Sequence, residues 1–191
     1  MNESVEGTTL NKDITLRPVG IVRNTIKEPF LVAGADGLSM RGELHDNMKR
    51  VHSSQAESSE IVIRNDLAGI LDGIEEYSHI IVLYWAHKVQ ESRRTLTKVH
   101  PMGRKDYPIQ GIFSTCSPAR PNPVLMTVAR LKERKGNVLT VTGLDAVDGS
   151  PVIDIKPYVG RFYPDEDIRI PDWMQQIQRE VAQVKSQVDM I

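Results

Sequence analysis

The chain carries one cysteine, Cys116, in 191 residues, so no disulfide can form within it. Its five histidines are scattered, which leaves a structural zinc site without a ligand set. Aromatic residues amount to only 5%, and neither sign of charge prevails: 24 Lys and Arg stand against 25 Asp and Glu, a formal net charge of −1. That balance excludes a nucleic-acid binder relying on global attraction to phosphate, so any RNA contact must come from a local basic patch. Long apolar runs are missing too. The longest, Ile80–Ala86, is far below the roughly 20 residues that span a bilayer. The opening MNESVEGTTLNKD has neither the basic nor the apolar region of a secretion signal. The expectation is a cytoplasmic protein with no membrane contact. No G-x-G-x-x-G sequence follows an early strand, which argues against a doubly wound fold with a nucleotide on a Gly-rich turn.

What is present is an ordinary globular composition, 40% hydrophobic and 26% charged, long enough to bury a sizeable core. Strand patterns occur at Ile14–Arg23, Ile61–Ile63, Ser78–His87, Ile109–Phe113, Val124–Leu131, Val138–Leu144 and Val152–Ile155. Ile80–Trp85 is apolar at every position, which predicts a strand covered on both faces. Asn65 or Asp66 can cap a helix bearing Leu67, Ile70, Leu71 and Ile74. Pro29 to Glu60, with Gly34, Gly37, Gly42 and SSQAESSE, reads as irregular loop. From Pro171 onward, Ile177, Val181, Val184, Val188 and Ile191 recur at spacings of three and four, the mark of an amphipathic C-terminal helix. Many short strands and few helices predict a mainly β fold, a predominantly antiparallel closed β-barrel. The expected organisation is a disordered tail over 1–13, a barrel domain over 14–160 and a C-terminal extension with its helix over 161–191.

Three blocks carry the chemistry. The loop GIFSTCSPARPNP, Gly111 to Pro123, places Pro118, Pro121 and Pro123 around Ser117, Arg120 and Asn122. Each proline fixes its own φ and restricts its predecessor, so Arg120 and Asn122 are polar groups held in nearly one geometry. Cys116 in the same loop reads as a buried or pocket-lining thiol. The second block is LDAVDGSPVIDIKPY, Leu144 to Tyr158, whose Asp148-Gly149 favours a tight turn. The third is IRNDLAGILDGIEEYSHIIVLYWAHK, Ile63 to Lys88. Basic residues cluster at Arg93, Arg94, Lys98, His100, Arg104 and Lys105, the best local patch for RNA.

In this order and at these intervals the three blocks resemble the TrmO family, also called TsaA-like or YaeB-like, of S-adenosylmethionine-dependent tRNA methyltransferases. The resemblance runs from about Ile14 to Tyr158. It implies an antiparallel barrel whose loops hold S-adenosyl-L-methionine, working as a homodimer on the tRNA anticodon loop. The implied reaction is methylation of the exocyclic nitrogen of N6-threonylcarbamoyladenosine beside the anticodon. Cofactor contacts implied by it fall at Ala33, Gly34 and Ala35, at His87 and Lys88, at Cys116, at Met126, and at Leu144, Asp145, Ala146 and Val147. Asp145 and His87 are the candidate general bases, and Arg120 and Asn122 the candidate acceptor contacts. The chain departs from the family pattern where Ala33-Gly34-Ala35 replaces Pro-Arg-Gln, Lys88 replaces Gln, Val124-Leu125 replaces Ile-Gly, and Cys116 replaces an arginine. Two alternatives stay open: a paralogue that methylates another acceptor, and a protein that senses the cofactor without transferring its methyl group.

Overall fold

A computed structural model describes residues 13–29, 31–34, 37–40 and 57–188. The expected tail therefore lies almost wholly outside the described residues, as do Ala35 and the first half of the Ser- and Glu-rich run. The strands are β1 (Gly20–Arg23), β2 (Leu31–Gly34), β3 (Gly37–Met40), β4 (Ser58–Ile63), β5 (His79–Trp85), β6 (Lys98–Val99), β7 (Gln110–Gly111), β8 (Val124–Lys135), β9 (Val138–Thr142) and β10 (Pro151–Pro157). Six of them close an antiparallel barrel in the order β1-β10-β5-β8-β9-β4, with β4 pairing back to β1. Closure removes the unpaired edges an open sheet would expose.

Strand alternation builds the interior. Val22, Ile61, Ile63, Ile80, Val82, Tyr84, Ala129, Leu139, Val141 and Val152 point inward and form one core. On the outer face of β5, Ile81 is also buried, at 3% exposure, so the uninterrupted apolar run reports a strand covered on both sides there. Gly20 sits where β1 meets β4 and β10, and a Cβ on it would lie 2.5 Å from the Val62 carbonyl oxygen. Gly20→Ala is expected to cost about 1–3 kcal/mol of stability, visible as a lower denaturant midpoint without a change in slope.

The structure corrects several boundaries. The first strand begins only at Gly20, with Ile14 86% exposed. Pro18, with no N–H to donate, precedes its start. The expected helix after Asn65 is two 3₁₀ turns, Asn65–Leu71 and Ile74–Glu76, separated by Gly73 at φ 85°. Within the passage read as loop, β2 and β3 pair as a hairpin. The strand expected at Ile109–Phe113 shrinks to the two residues of β7, followed by a 3₁₀ turn at Ile112–Ser114. Meanwhile β8 extends to Lys135 and returns as β9 through Gly136-Asn137, with Gly136 at φ 59°. A second small core of Leu38, Val99, Ile112 and Ala119 lies outside the barrel.

The C-terminal helix is α1 (Asp172–Val188). Trp173 is buried near its start, and Glu180 accepts hydrogen bonds from Arg104 and from the Tyr107 hydroxyl, which fixes the helix to the segment between β6 and β7. Among the described residues no helix is long and apolar enough to cross a membrane.

Candidate functional site

The antiparallel order brings the end of β5, the start of β8, the loop from β9 to β10 and the chain leaving β1 to one rim of the barrel. There they enclose a cavity of about 510 Å³. Its walls are mostly apolar, with Ile26, Pro29, Leu31, Val32, Ala86, Val89, Leu125, Ala146 and Val147 contributing. Polar groups enter at few points: Glu28, Lys88, Gln90, Arg93, Cys116, Asp145 and Ser150, together with the ring of Tyr84. A concave, mainly apolar site with a few convergent polar groups has the form of a small-molecule pocket.

Asp145 is the notable charge. Its carboxyl faces the cavity and is accessible to a ligand, yet protein mass on all sides raises its pKa above the ordinary 3.8, burial being the cause. Among the described residues it has no hydrogen-bond or ion-pair partner. Tyr84 holds the backbone beneath it, the hydroxyl donating to the Asp145 carbonyl and lying 3.3 Å from Thr127 Oγ1. Burial first, and then the Asp145 charge, push the Tyr84 phenol up, so it stays a donor throughout the physiological range.

The 144–150 loop is stapled to the chain leaving β1. Asn24 Nδ2 donates to the Ala146 carbonyl at 2.8 Å and to Ser59 Oγ at 3.2 Å, while its Oδ1 accepts from the Ile26 amide at 3.0 Å. Asp148 accepts from the Asn24 amide at 3.0 Å and from Lys27 Nζ at 2.8 Å. Those two partners, Lys27 foremost, hold its carboxyl below the ordinary value. Asp148 is thus a turn residue that shapes the cavity without entering it. We expect Asn24→Ala to cost about 1–3 kcal/mol through the stranded partners, with a drop in thermal midpoint and a parallel loss of small-molecule affinity by calorimetry.

The proline-rich loop closes another side. Arg120 turns back on it, Nε donating to the Ser117 carbonyl at 2.9 Å and Nη2 to the Thr115 carbonyl at 2.6 Å. Ser117 Oγ in turn accepts from the Ala119 amide at 3.2 Å. Cys116 and Pro118 are thereby presented to the cavity on a braced turn.

Residues 46–163, more than half of the chain, match the family described as the tRNA-methyltransferase O N-terminal domain, TrmO_N. The chain belongs to that family. A probable S-adenosyl-L-methionine-binding protein of Methanothermobacter thermautotrophicus is 41% identical over 146 residues, covering 76% of this chain and 90% of that protein. The tRNA (adenine(37)-N6)-methyltransferase of Escherichia coli is 33% identical over 147 residues, 74% of this chain and 56% of that protein. The solved TrmO of Pseudomonas aeruginosa superposes with a TM-score of 0.58 at 24% identity, over 83% of this chain and 61% of that one. The chain spans less than two thirds of either of these last two.

Within the TrmO pattern the structure sorts the expected residues. Lys88, Cys116, Asp145, Ala146 and Val147 meet on the cavity. Leu144 does not: its side chain is 2% exposed in the barrel core, leaving only its backbone near the site. Met126 points to the outer face of β8 with 62% exposure, because alternation sends its neighbour Leu125 inward to the cavity instead. Ala33 and Gly34 lie in β2, next in sequence to Leu31 and Val32, which line the cavity. His87 sits behind the wall beside Gly149, its Nδ1 buried without a partner. Burial and the adjacent Lys88 lower its pKa, which keeps the ring neutral at neutral pH. Asn122 is exposed on the loop.

The basic patch is dispersed. Arg93 lines the cavity, Arg94 lies 5.4 Å from the Trp85 ring and donates to the Val89 carbonyl, and Arg104 stacks on Tyr107 and pairs with Asp106 and Glu180. His100 Nδ1 is bonded to the Tyr107 carbonyl at 2.8 Å. Lys98 and Lys105 remain exposed. Sequence reasoning missed the Asn24 staple, the Ile26 to Val32 wall and the inward turn of Arg93. Only the first had a signal: an Asn just past a strand, able to close an Asx turn two residues on.

Proposed function

We propose that this chain transfers the methyl group of S-adenosylmethionine to the exocyclic nitrogen of N6-threonylcarbamoyladenosine beside the tRNA anticodon. The observation that carries the reading is the rim cavity. It is walled by the loops that bear the TrmO motifs, it matches a nucleoside-sized ligand in volume, and it presents an unpaired carboxylate among apolar faces. These residues fit the cofactor. Asp145 would accept from its hydroxyl or ammonium groups, the Ala146 and Val147 segment would offer small faces and backbone groups, and Lys88 and Cys116 line the same cavity. S-adenosylmethionine, when bound, supplies a methyl group on a sulfonium.

The protein's own contribution is alignment, exclusion of water and disposal of one proton. Asp145, whose pKa burial raises, is the candidate base that lines the cavity, whereas His87 lies behind the wall. Arg120 and Asn122 flank the side on which the acceptor base would enter, with Arg120 holding the loop in shape. Lys98 and Lys105 are the exposed cations available to RNA phosphates. We place the protein in the cytoplasm as a homodimer, with the outward Met126 and Val128 of β8 as part of the shared face. A dimer mass in light scattering that falls to a monomer in Met126→Asp would support that face.

The deciding experiment incubates the purified chain with labelled S-adenosylmethionine and bulk tRNA from cells with and without threonylcarbamoyladenosine. Label is expected only in the modified tRNA. Calorimetric binding of the cofactor with no transfer to either tRNA would overturn the methyl-transfer reading in favour of a binding or sensing protein.

A further inference from the structure

Arg93 is the last residue of the 3₁₀ turn after β5, lines the rim cavity, and has its Nε buried without a hydrogen-bond partner. No ion pair or hydrogen bond engages its side chain among the described residues. The neighbouring cations are engaged: Lys88 is paired with Glu28 at 3.3 Å, and Arg94, whose Nε is likewise buried without a partner, lies over the Trp85 ring and donates through Nη2 to the Val89 carbonyl. An arginine rarely leaves a buried N–H idle, because an unmade hydrogen bond there costs its full desolvation.

The same cavity holds a second unpaired charge of opposite sign, Asp145. A guanidinium and a carboxylate that share one small pocket and do not satisfy each other form a complement to a zwitterion. The amino-acid end of S-adenosylmethionine is one, a carboxylate beside an ammonium. A guanidinium presents a planar fork that suits a carboxylate, which an isolated ammonium does not. Cys116 borders this cavity too and brings no charge at a position where the family pattern has an arginine.

We propose that Arg93 binds the carboxylate of the cofactor's amino-acid moiety, opposite Asp145, and supplies from another loop the guanidinium that position 116 lacks. The inference rests on the cofactor reading above, and the test separates the two. Dissociation constants are measured by calorimetry for S-adenosylmethionine and for 5′-methylthioadenosine, which keeps the nucleoside and lacks the amino-acid tail. In Arg93→Gln, affinity for S-adenosylmethionine should fall about 10- to 100-fold, the range for a charge-assisted hydrogen bond. Affinity for 5′-methylthioadenosine should stay within about twofold, since no contact to the nucleoside is removed. Adding Cys116→Arg to that variant should restore much of the loss, and Arg93→Lys should recover only part of it.

Equal weakening of both ligands would overturn the inference by making Arg93 a structural residue. So would unchanged affinity for S-adenosylmethionine, including the case where only the KM for tRNA rises and the guanidinium faces the acceptor. Failure of the wild-type chain to bind S-adenosylmethionine would instead remove the cofactor reading itself.

Discussion

Asp145→Asn should weaken binding of S-adenosylmethionine about 10- to 100-fold, the range for loss of a charge-assisted hydrogen bond in a pocket, while the thermal midpoint of the ligand-free protein does not fall. Both halves follow from one fact: the carboxylate faces the cavity without a partner, and burial raises its pKa. A group whose pKa is higher folded than unfolded contributes its stability below the unfolded value, near 3.8, and loses it as pH rises through the folded value. The ionised form of the side chain is therefore a burden on the free protein, and asparagine relieves it. The other charged groups lining the pocket are Arg93 and the Lys88–Glu28 pair. Cofactor affinity of the wild-type chain should accordingly decline on acidification, with a midpoint above 3.8, and this dependence should vanish in Asp145→Asn. Unchanged affinity in the variant would remove Asp145 from the ligand site. A lower midpoint would show that the carboxylate has a structural partner.

The barrel was legible because its strands announce themselves one at a time. Ile80–Trp85, Val138–Thr142 and the block from Val152 keep their pattern whether read alone or in place, and closure follows from their number. The region after Asn65 was misread because its apolar spacing suits a helix, while Gly69 and Gly73 weaken one and the φ of 85° at Gly73 ends the turn. The hairpin of β2 and β3 was hidden by glycines that usually signal loop, one of which, Gly37 at φ 111°, serves the hairpin's own turn. At the site, Asp145 to Val147, Lys88 and Cys116 were readable as parts of motifs. Leu125 against Met126 was not, since the choice depends on which face of β8 lies inside, and the bulge between Leu131 and Glu133 makes that register a property of the whole sheet. Arg93 reads in the sequence as one member of a basic patch for RNA. It is the last residue of a 3₁₀ turn. Its place on the cavity depends on that turn and on Arg94 being held by Trp85, which no spacing reveals.

The proline-rich loop proposed to face the acceptor gives the other large effect. Arg120→Ala should lower methyl transfer about 10- to 100-fold, the scale of a small misplacement of reacting groups, and leave the dissociation constant for S-adenosylmethionine within about threefold. The guanidinium closes the turn by donating to the carbonyls of Thr115 and Ser117 at once, and the flanking prolines cannot replace those bonds because they carry no N–H. Without the brace the turn keeps its restricted φ angles and loses the fixed distance between Thr115 and Arg120, so Cys116 and Pro118 no longer hold one position on the cavity. The charges proposed to grip the cofactor, Asp145 and Arg93, stand elsewhere on the cavity, on the β9–β10 loop and after β5, and are untouched. Arg120→Lys should remain impaired, since a single ammonium on a flexible stem does not reproduce the fork that spans two carbonyls. Turnover at the wild-type rate in Arg120→Ala would show that the prolines alone hold the loop. A matching loss of cofactor affinity would show that the loop belongs to the cofactor rather than to the acceptor.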